Sequence, residues 1–474
     1  DYYYTGNPVD AIINALNDIR GAYALGIIFK DFPDRIFAVR KDSPLIIGVG
    51  EEENFIASDV PAILKYTRKY YLLEENEIAT IKEDRVEFCN IHRQQLTKEI
   101  QESNLDMDAA EKGGYEHFML KEIHEQPTAV KTTIAPRIVN GMPDLSECGL
   151  TAEMLKGYRK LFIVACGTAM HAGMVGKYVI EKLARTEVTV DIASEFRYRD
   201  PIVTQEDLVI VISQSGETAD TKAALHLAHE KGAKVLSIVN VKGSSIARES
   251  DYVLYTAAGP EIAVASTKAY TTQLSVFYLV VAKMALLRGV YTEEQTKSFI
   301  AELERVPEVM QKVLEKRRDI HVIAKKILEA KDLFMIGRGL DYSILLEGSL
   351  KLKEVSYILS EAYASGELKH GPIALITTNT PVVATVTQEK LMSKELSNIK
   401  EVKSRGADIV LFIKEALSGD LDTEYQVIKL PDMQDEFMVL PASVALQLLA
   451  YYVSSDKGFD VDKPRNLAKV VTVE

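Results

Sequence analysis

The sequence predicts an α/β protein in which one parallel-sheet unit occurs twice in tandem behind a smaller β-rich region. Two observations carry this. LFIVACGTAMHAG beginning at Leu161, LVIVISQ ending at Gln214 and KGAKVLSIVN beginning at Lys231 recur in order, at a nearly constant offset, as LFMIGRGLDYSIL beginning at Leu333, PVVATVTQ ending at Gln388 and RGADIVLFIK beginning at Arg405. Each apolar run leads into a stretch of helical character, the alternation expected of a parallel sheet wrapped by helices.

Taken in order, the elements divide the chain into five segments. Over residues 22–88 short runs such as YALGIIF, RIFAVR, PLIIGVG, NFIAS and YYLLE are separated by Asp, Gly, Pro and Asn clusters, which predicts a β-rich layer over 1–90. Over 91–150 charge rises and periodicity weakens, so this stretch reads as a linker with an interface helix at YEHFMLKEIHEQ. That helix is expected to stop before Pro127, because proline has no N–H to donate and clashes with the preceding turn. The two α/β copies then occupy 151–300 and 301–455, and 456–474 forms a C-terminal tail. LSVFYLVVAKMALL, from Leu274 to Leu287, is interrupted by Lys283 and falls short of the roughly 20 residues a membrane span needs. It reads as a buried helix.

A chain of 474 residues is too long for one core, and three domains are expected. The formal net charge of -13 gives no broad basic footprint for nucleic acid or anionic lipid, so an anionic ligand must be held by local geometry. The three cysteines, Cys89, Cys148 and Cys166, lack CxxC or Cys/His spacing, which argues for a reducing compartment and against structural zinc. No signal peptide is evident and cytoplasmic location is the expectation. A first residue that is not Met suggests a natural N-terminus further upstream.

The copies differ where a ligand would sit. In a parallel sheet, ligands bind beyond the carboxyl ends of the strands. There the first copy has SQSGETADT, from Ser213 to Thr221, and the second has TQEKLMSKE. Hydroxyls present in one copy of a shared scaffold point to a site rather than to the fold. Gly216 permits close backbone approach, the next helix offers free N–H groups and a positive dipole end, and Ser213, Ser215 and Thr218 add donors. This is a phosphate cradle. One helix cap would account for one hydroxyl, not for several donors around a glycine. The loop lacks the GxxxxGK[ST] of a P-loop, and IGRG at Ile336 has two of the three glycines of a dinucleotide fingerprint, so neither nucleotide reading holds.

CGT at Cys166, SEFRYR at Ser194, SQSGETADT at Ser213, EIAVASTKAYTTQL at Glu261, EGSLKLKEVSY at Glu347, EAYASGELKHGP at Glu361 and the C-terminal DVDKPRNLAK resemble the isomerase half of the glutamine:fructose-6-phosphate amidotransferase family. The resemblance runs from about 113 to 474. Residues 1–90 resemble only the C-terminal half of that family's glutaminase domain. The implied fold is two tandem flavodoxin-like sugar isomerase (SIS) domains behind a partial glutaminase domain of the N-terminal-nucleophile type. The implied substrate is fructose 6-phosphate, the product glucosamine 6-phosphate and the nitrogen source ammonia from glutamine in the full-length enzyme. That is the first step of hexosamine biosynthesis, with no cofactor, metal, nucleic acid or membrane partner. The family nucleophile is an N-terminal cysteine and this chain begins with Asp1, so glutamine hydrolysis by this polypeptide is not expected.

By the same resemblance Lys469 forms a Schiff base with the ketose C2, Glu354 moves a proton from C1 to C2, and Lys351, three residues before Glu354 on the same helical face, belongs to the catalytic site as well. The apolar neighbours Leu467, Ala468, Val470 and Val471 would desolvate Lys469 and favour its nucleophilic form. His370, in a loop before Gly371 and Pro372, corresponds to the ring opener that reaches into a neighbouring subunit, which implies a homodimer. Cys166, Gly167, Thr168, Ser213, Gln214, Ser215, Thr218, Val264, Ser266 and Ala468 match the substrate binders. Ala169 stands where the family commonly has Ser, which removes one side-chain donor. His117 and His124 near Glu122 lack HExxH spacing and are read as packing residues; His226 and His229 are read as surface residues. A sugar-phosphate isomerase or amino-sugar-phosphate deaminase on the same scaffold is a competing reading, as is a non-catalytic sugar-phosphate sensor. The partial glutaminase segment disfavours the former, and the joint presence of Lys469, Glu354 and His370 disfavours the latter.

Overall fold

The computed structural model describes residues 2–60, 62–103, 111–419, 421 and 425–472. These fall into two units, one built from residues 1–113, 217–219 and 470–474 and the other from 114–216 and 220–469.

The first unit stacks two antiparallel sheets. One has five strands in the spatial order Tyr23–Phe29, Phe32–Lys41, Glu77–Lys82, Val86–Asn90 and Gln95–Leu96; the other has four, in the order Asn54–Ala57, Ile46–Val49, Lys69–Leu72 and Gln101–Glu102. Successive side chains of the first sheet serve opposite faces. Ala38 and Ala79 join Ile47 and Leu73 in the core between the sheets, while Phe37, Val39 and Ile78 pack against Ile12 of the helix Pro8–Leu16.

In the second unit the predicted duplication is plain. The first copy pairs β1 (Lys160–Ala165), β2 (Glu187–Ile192), β3 (Asp207–Ser213), β4 (Lys234–Val239) and β5 (Tyr252–Tyr255) in the order β2-β1-β3-β4-β5, all parallel. The second pairs β6 (Asp332–Gly337), β7 (Leu359–Ala364), β8 (Pro381–Val386), β9 (Asp408–Lys414) and β10 (Gln426–Leu430) in the corresponding order β7-β6-β8-β9-β10. This is the flavodoxin-like order, whose switch point lies between the first and third strands. The inner strands β1, β3, β4, β6, β8 and β9 are largely apolar because both faces are covered, whereas the edge strands β2, β7 and β10 carry exposed polar residues. Leu161 and Ile163 of β1 share one core with Leu333 and Met335 of β6, while Phe162 and Val164, and Phe334 and Ile336, pack into separate outer cores.

Six helices frame the shared core and the site: α1 (Phe118–Ile134), α2 (Gly167–Val179), α3 (Ala219–Glu230), α4 (Lys268–Leu287), α5 (Leu340–Ser356) and α6 (Val439–Asp456). α4 and the segment Asp435–Asp456 are long and apolar enough to cross a membrane by length and composition, yet 83% and 94% of their apolar windows are buried inside the fold. They are core helices, as expected for the Leu274–Leu287 run.

One expectation fails. α1 does not stop before Pro127; it continues two further turns to Ile134. Pro127 cannot donate to Ile123 O, but Gln126 Nε2 takes over that acceptor at 3.1 Å. Gln126 is itself locked by Gln447 Oε1 at 2.7 Å and by the Thr271 hydroxyl at 3.0 Å, so α1, α4 and α6 share one buried amide node. Among the other histidines weighed in the sequence, His117 bonds the Tyr451 hydroxyl at 3.0 Å and His229 meets Asp251 at 2.9 Å, while His226 meets Glu249.

Candidate active site

The cradle follows from how β3 ends. Ser213 is buried as the last residue of the strand, and its Oγ accepts Gly216 N–H at 2.9 Å, which curls the chain back on itself. The curl is pinned from the side: Gln214 O accepts from Asn240 N at 3.2 Å and Gly216 O from Ile246 N at 3.0 Å. Gly216 adopts φ +69°, and a Cβ there would lie 2.0 Å from Ser244 Oγ. The Ser213 and Ser215 hydroxyls stand 3.5 Å apart, and Thr218 follows in the sequence immediately before α3.

After β1 the chain enters α2 with Cys166 at the cap position and Gly167 and Thr168 as its first residues. Burial pushes the Cys166 thiol up, and its Sγ lies 3.8 Å from the Thr221 hydroxyl. Ala169 packs partly buried against the shared core. Thr168 Oγ1 donates to Glu347 Oε1 and accepts from Lys351 Nζ, both at 3.0 Å, so α2 of the first copy meets α5 of the second through one hydroxyl.

Lys351 is the centre of this cluster. Its side chain is fully buried, with Nζ 2.5 Å from Glu354 Oε2 and 3.4 Å from Glu347 Oε1. Burial alone would favour the neutral amine, but Glu347, Glu354 and, more weakly, Glu261 hold it protonated well above the usual lysine range. His171 Nδ1 reaches Glu347 Oε2 at 2.8 Å and closes the far side. Glu347 and His171 were not singled out in the sequence, although Glu347 lies one helical turn before Lys351.

The C-terminal tail delivers Lys469 to a second cluster. Its Nζ lies 2.6 Å from Glu261 Oε2 and 2.8 Å from Ala263 O. Ser266 Oγ donates to the same Glu261 oxygen at 2.9 Å, while Glu261 Oε1 accepts from Thr267 N and Ala269 N at the start of α4. Burial raises Glu261, but the Lys469 ammonium and these backbone donors prevail and hold it down to about 2. Val264 N donates to Asp462 O at 3.0 Å, tying this loop to the tail. Ala468 is exposed, and Lys469 is held as half of an ion pair rather than enclosed by its apolar neighbours.

His370 stands apart. It ends a short 3₁₀ turn, Ser365–His370, is exposed, and forms no hydrogen bond or ion pair among the described residues. Among the same residues, no group of three or more His, Cys, Asp or Glu is placed to hold a metal ion.

The arrangement therefore offers hydroxyls and backbone donors, a lysine on a carboxylate, and two glutamates, Glu347 buried and Glu354 partly buried, on either side of the buried Lys351 ammonium. Residues 154–283 and 326–452, the segments that hold the two parallel sheets, each match the SIS domain family. The chain is 55% identical over 478 residues to the glutamine–fructose-6-phosphate aminotransferase (isomerizing) of Caldanaerobacter subterraneus subsp. tengcongensis, with 100% of this chain and 78% of that protein covered. It is 52% identical over 475 residues to the protein of the same name from Clostridium acetobutylicum, again over 100% and 78%. Among solved structures, the C-terminal domain of glucosamine-fructose-6-phosphate aminotransferase from Francisella tularensis aligns with a TM-score of 0.73 and 42% identity, over 74% of this chain and 100% of that one.

Proposed function

The chain belongs to the family of isomerizing glutamine–fructose-6-phosphate aminotransferases, and on that premise we propose that its second unit converts fructose 6-phosphate and ammonia to glucosamine 6-phosphate and water. The phosphate rests in the cradle of Ser213, Gln214 and Ser215, where hydrogen-bond donors substitute for net positive charge. Thr168, the Cys166–Gly167 turn, Val264, Ser266 and Ala468 line the sugar. The Lys469 amine adds to C2 of the open ketose and water leaves, giving an imine. Glu354 takes a proton from C1 and returns it to C2, and Lys351, pinned between Glu347 and Glu354, keeps that carboxylate in place. Before that proton transfer, ammonia adds to C2 of the imine and the Lys469 amine leaves, so the nitrogen that remains on C2 comes from ammonia and Lys469 is regenerated.

The observation that carries this reading is Lys469 in contact with Glu261 and Ala263 O, in a unit where Glu261 also acts electrostatically on Lys351. His370 is read as the ring opener of a second copy's site, since it is exposed and unengaged among the described residues of its own chain. None of the three cysteines is proposed as a glutaminase nucleophile, because burial pushes the thiols of Cys89, Cys148 and Cys166 up, away from the thiolate.

The test is borohydride reduction in the presence of fructose 6-phosphate followed by peptide mass mapping. A hexose-phosphate adduct on Lys469, absent from Lys469→Ala, is expected. An unmodified Lys469 despite measurable binding of the sugar phosphate would turn the site into a sensor.

A further inference from the structure

Glu122 is 2% exposed on the inner side of α1 and has no place in the chemistry above. Its Oε1 accepts from Ile262 N at 2.5 Å and from Ala263 N at 3.2 Å. Its Oε2 is enclosed and meets no donor. The loop it clamps carries both acceptors of Lys469, the Glu261 carboxylate and Ala263 O. One residue further, Val264 N bonds Asp462 O, and the Asp462 carboxylate takes Phe118 N at 2.9 Å and Met119 N at 2.8 Å at the start of α1. α1 therefore fixes the Lys469 loop and the Lys469 tail at two points about one helical turn apart.

An ionised carboxylate with one oxygen sealed from any donor is far more costly than a neutral acid in the same place. The charged groups facing Glu122 are Glu261, Lys469 and Lys268, and Lys268 is already paired with Glu125 at 2.7 Å. Burial and the Glu261 charge raise Glu122 more than the two lysines lower it.

We propose that Glu122 is a positioning residue for Lys469 that works as a neutral acid, holding the 261–264 loop through Oε1 while leaving the lysine a single carboxylate partner. The proposal rests on the reading of Lys469 as the Schiff-base lysine. Were Glu122 ionised, two carboxylates would face one ammonium, and the proton that Lys469 must lose before attacking C2 would be held more tightly. The neutral form is present below about pH 8 and is lost as pH rises through that value, so the alkaline side is where the reaction suffers.

Borohydride trapping of fructose 6-phosphate on the full chain, followed as a rate from pH 6.5 to 9.5, separates the possibilities. Glu122→Gln preserves the acceptor and the neutral charge, so it is expected to trap at the wild-type rate near pH 7. At pH 9.5 it is expected to run ahead of wild type by on the order of 10-fold. Glu122→Ala, which leaves Ile262 N and Ala263 N without their acceptor, is expected to be slow at every pH while retaining a native circular dichroism spectrum. The wild-type alkaline limb is a second readout that needs no Glu122 variant: Glu261→Gln removes the neighbouring charge and is expected to move that limb to lower pH. A wild-type to Glu122→Gln ratio that stays flat across the range, or a folded Glu122→Gln that is slow at pH 7, overturns the inference. No adduct on wild type at any pH would instead remove the Lys469 reading, and the inference with it.

Discussion

A methyl group is all that separates glycine from alanine, and at Gly216 the fold has no room for it. A Cβ would stand 2.0 Å from Ser244 Oγ and 2.5 Å from Ser244 Cβ, at a backbone φ of +69°. Ser244 is buried and cannot swing into solvent, so the loop itself must move. That motion would break the bonds from Ile246 N to Gly216 O and from Gly216 N to Ser213 Oγ, the two contacts that aim the hydroxyls. Gly216→Ala is therefore expected to cost about 1–3 kcal/mol of stability and, separately, to weaken fructose 6-phosphate binding by on the order of 10-fold or more. Calorimetric titration at a temperature where the variant remains folded measures the second effect free of the first. Undiminished affinity would show that the phosphate does not use this loop.

At the scale of elements, what the sequence revealed and what it hid have separate causes. The two sheets were readable because a strand buried on both faces is written as a run of apolar residues, and a duplicated run is its own control: Leu161 and Leu333 open strands with the same neighbours. The turn after β3 stood out because Ser213, Ser215 and Thr218 break the pattern kept by the second copy. Glu347, His171, Glu261 and Glu122 were not, since each works through partners distant in sequence: Glu122 meets Ile262 and Glu347 meets His171. The extent of α1 was misjudged for a related reason. Pro127 is a helix breaker only if Ile123 O is left without a donor, and the donor comes from Gln126, whose orientation is set by Gln447 and Thr271. This makes Gln126 the residue on which the second half of α1 depends. Gln126→Ala strands two buried acceptors, Ile123 O and Gln447 Oε1, while the Thr271 hydroxyl keeps Lys268 O, and it is expected to cost about 2–4 kcal/mol. Pro127→Ala restores an N–H for Ile123 O, so the double variant is expected to recover about 1 kcal/mol relative to the sum of the singles. Strict additivity in urea denaturation would show that the amide does not substitute for the missing backbone donor.

Across the whole second unit the two copies differ in the turn that follows the third strand, and the difference has a signature in pH. Where the first copy opens its cradle, the second fills the corresponding turn with a carboxylate: Asp341, near the start of α5, accepts from Thr387 N at 2.8 Å and from the Thr387 hydroxyl at 2.5 Å. Nearby, Glu395 accepts the Ser365 hydroxyl at 2.6 Å and lies 3.8 Å from Arg338. Burial outweighs these bonds and pushes both Asp341 and Glu395 up to about 7. The sign follows from proton counting. Between the ordinary carboxylate range and about pH 7 the folded chain keeps protons that the unfolded chain has released, so stability from these groups is fully present at low pH and is lost as pH rises through 7. Glu261, held down to about 2, acts oppositely: its contribution is present above the ordinary carboxylate range and fades as pH falls toward 2. With Glu122 also raised, to about 8, the unit should thus be most stable within the ordinary carboxylate range, at about pH 4, and should lose stability from there toward neutrality. Glu395→Gln removes one of the two buried ionisations while keeping an acceptor for Ser365. Its stability relative to wild type should therefore rise between pH 5 and pH 8 by about 2–3 kcal/mol at most. Urea midpoints measured for both proteins at the two pH values test this, and a difference that does not change with pH would mean that Glu395 stays ionised in the folded chain.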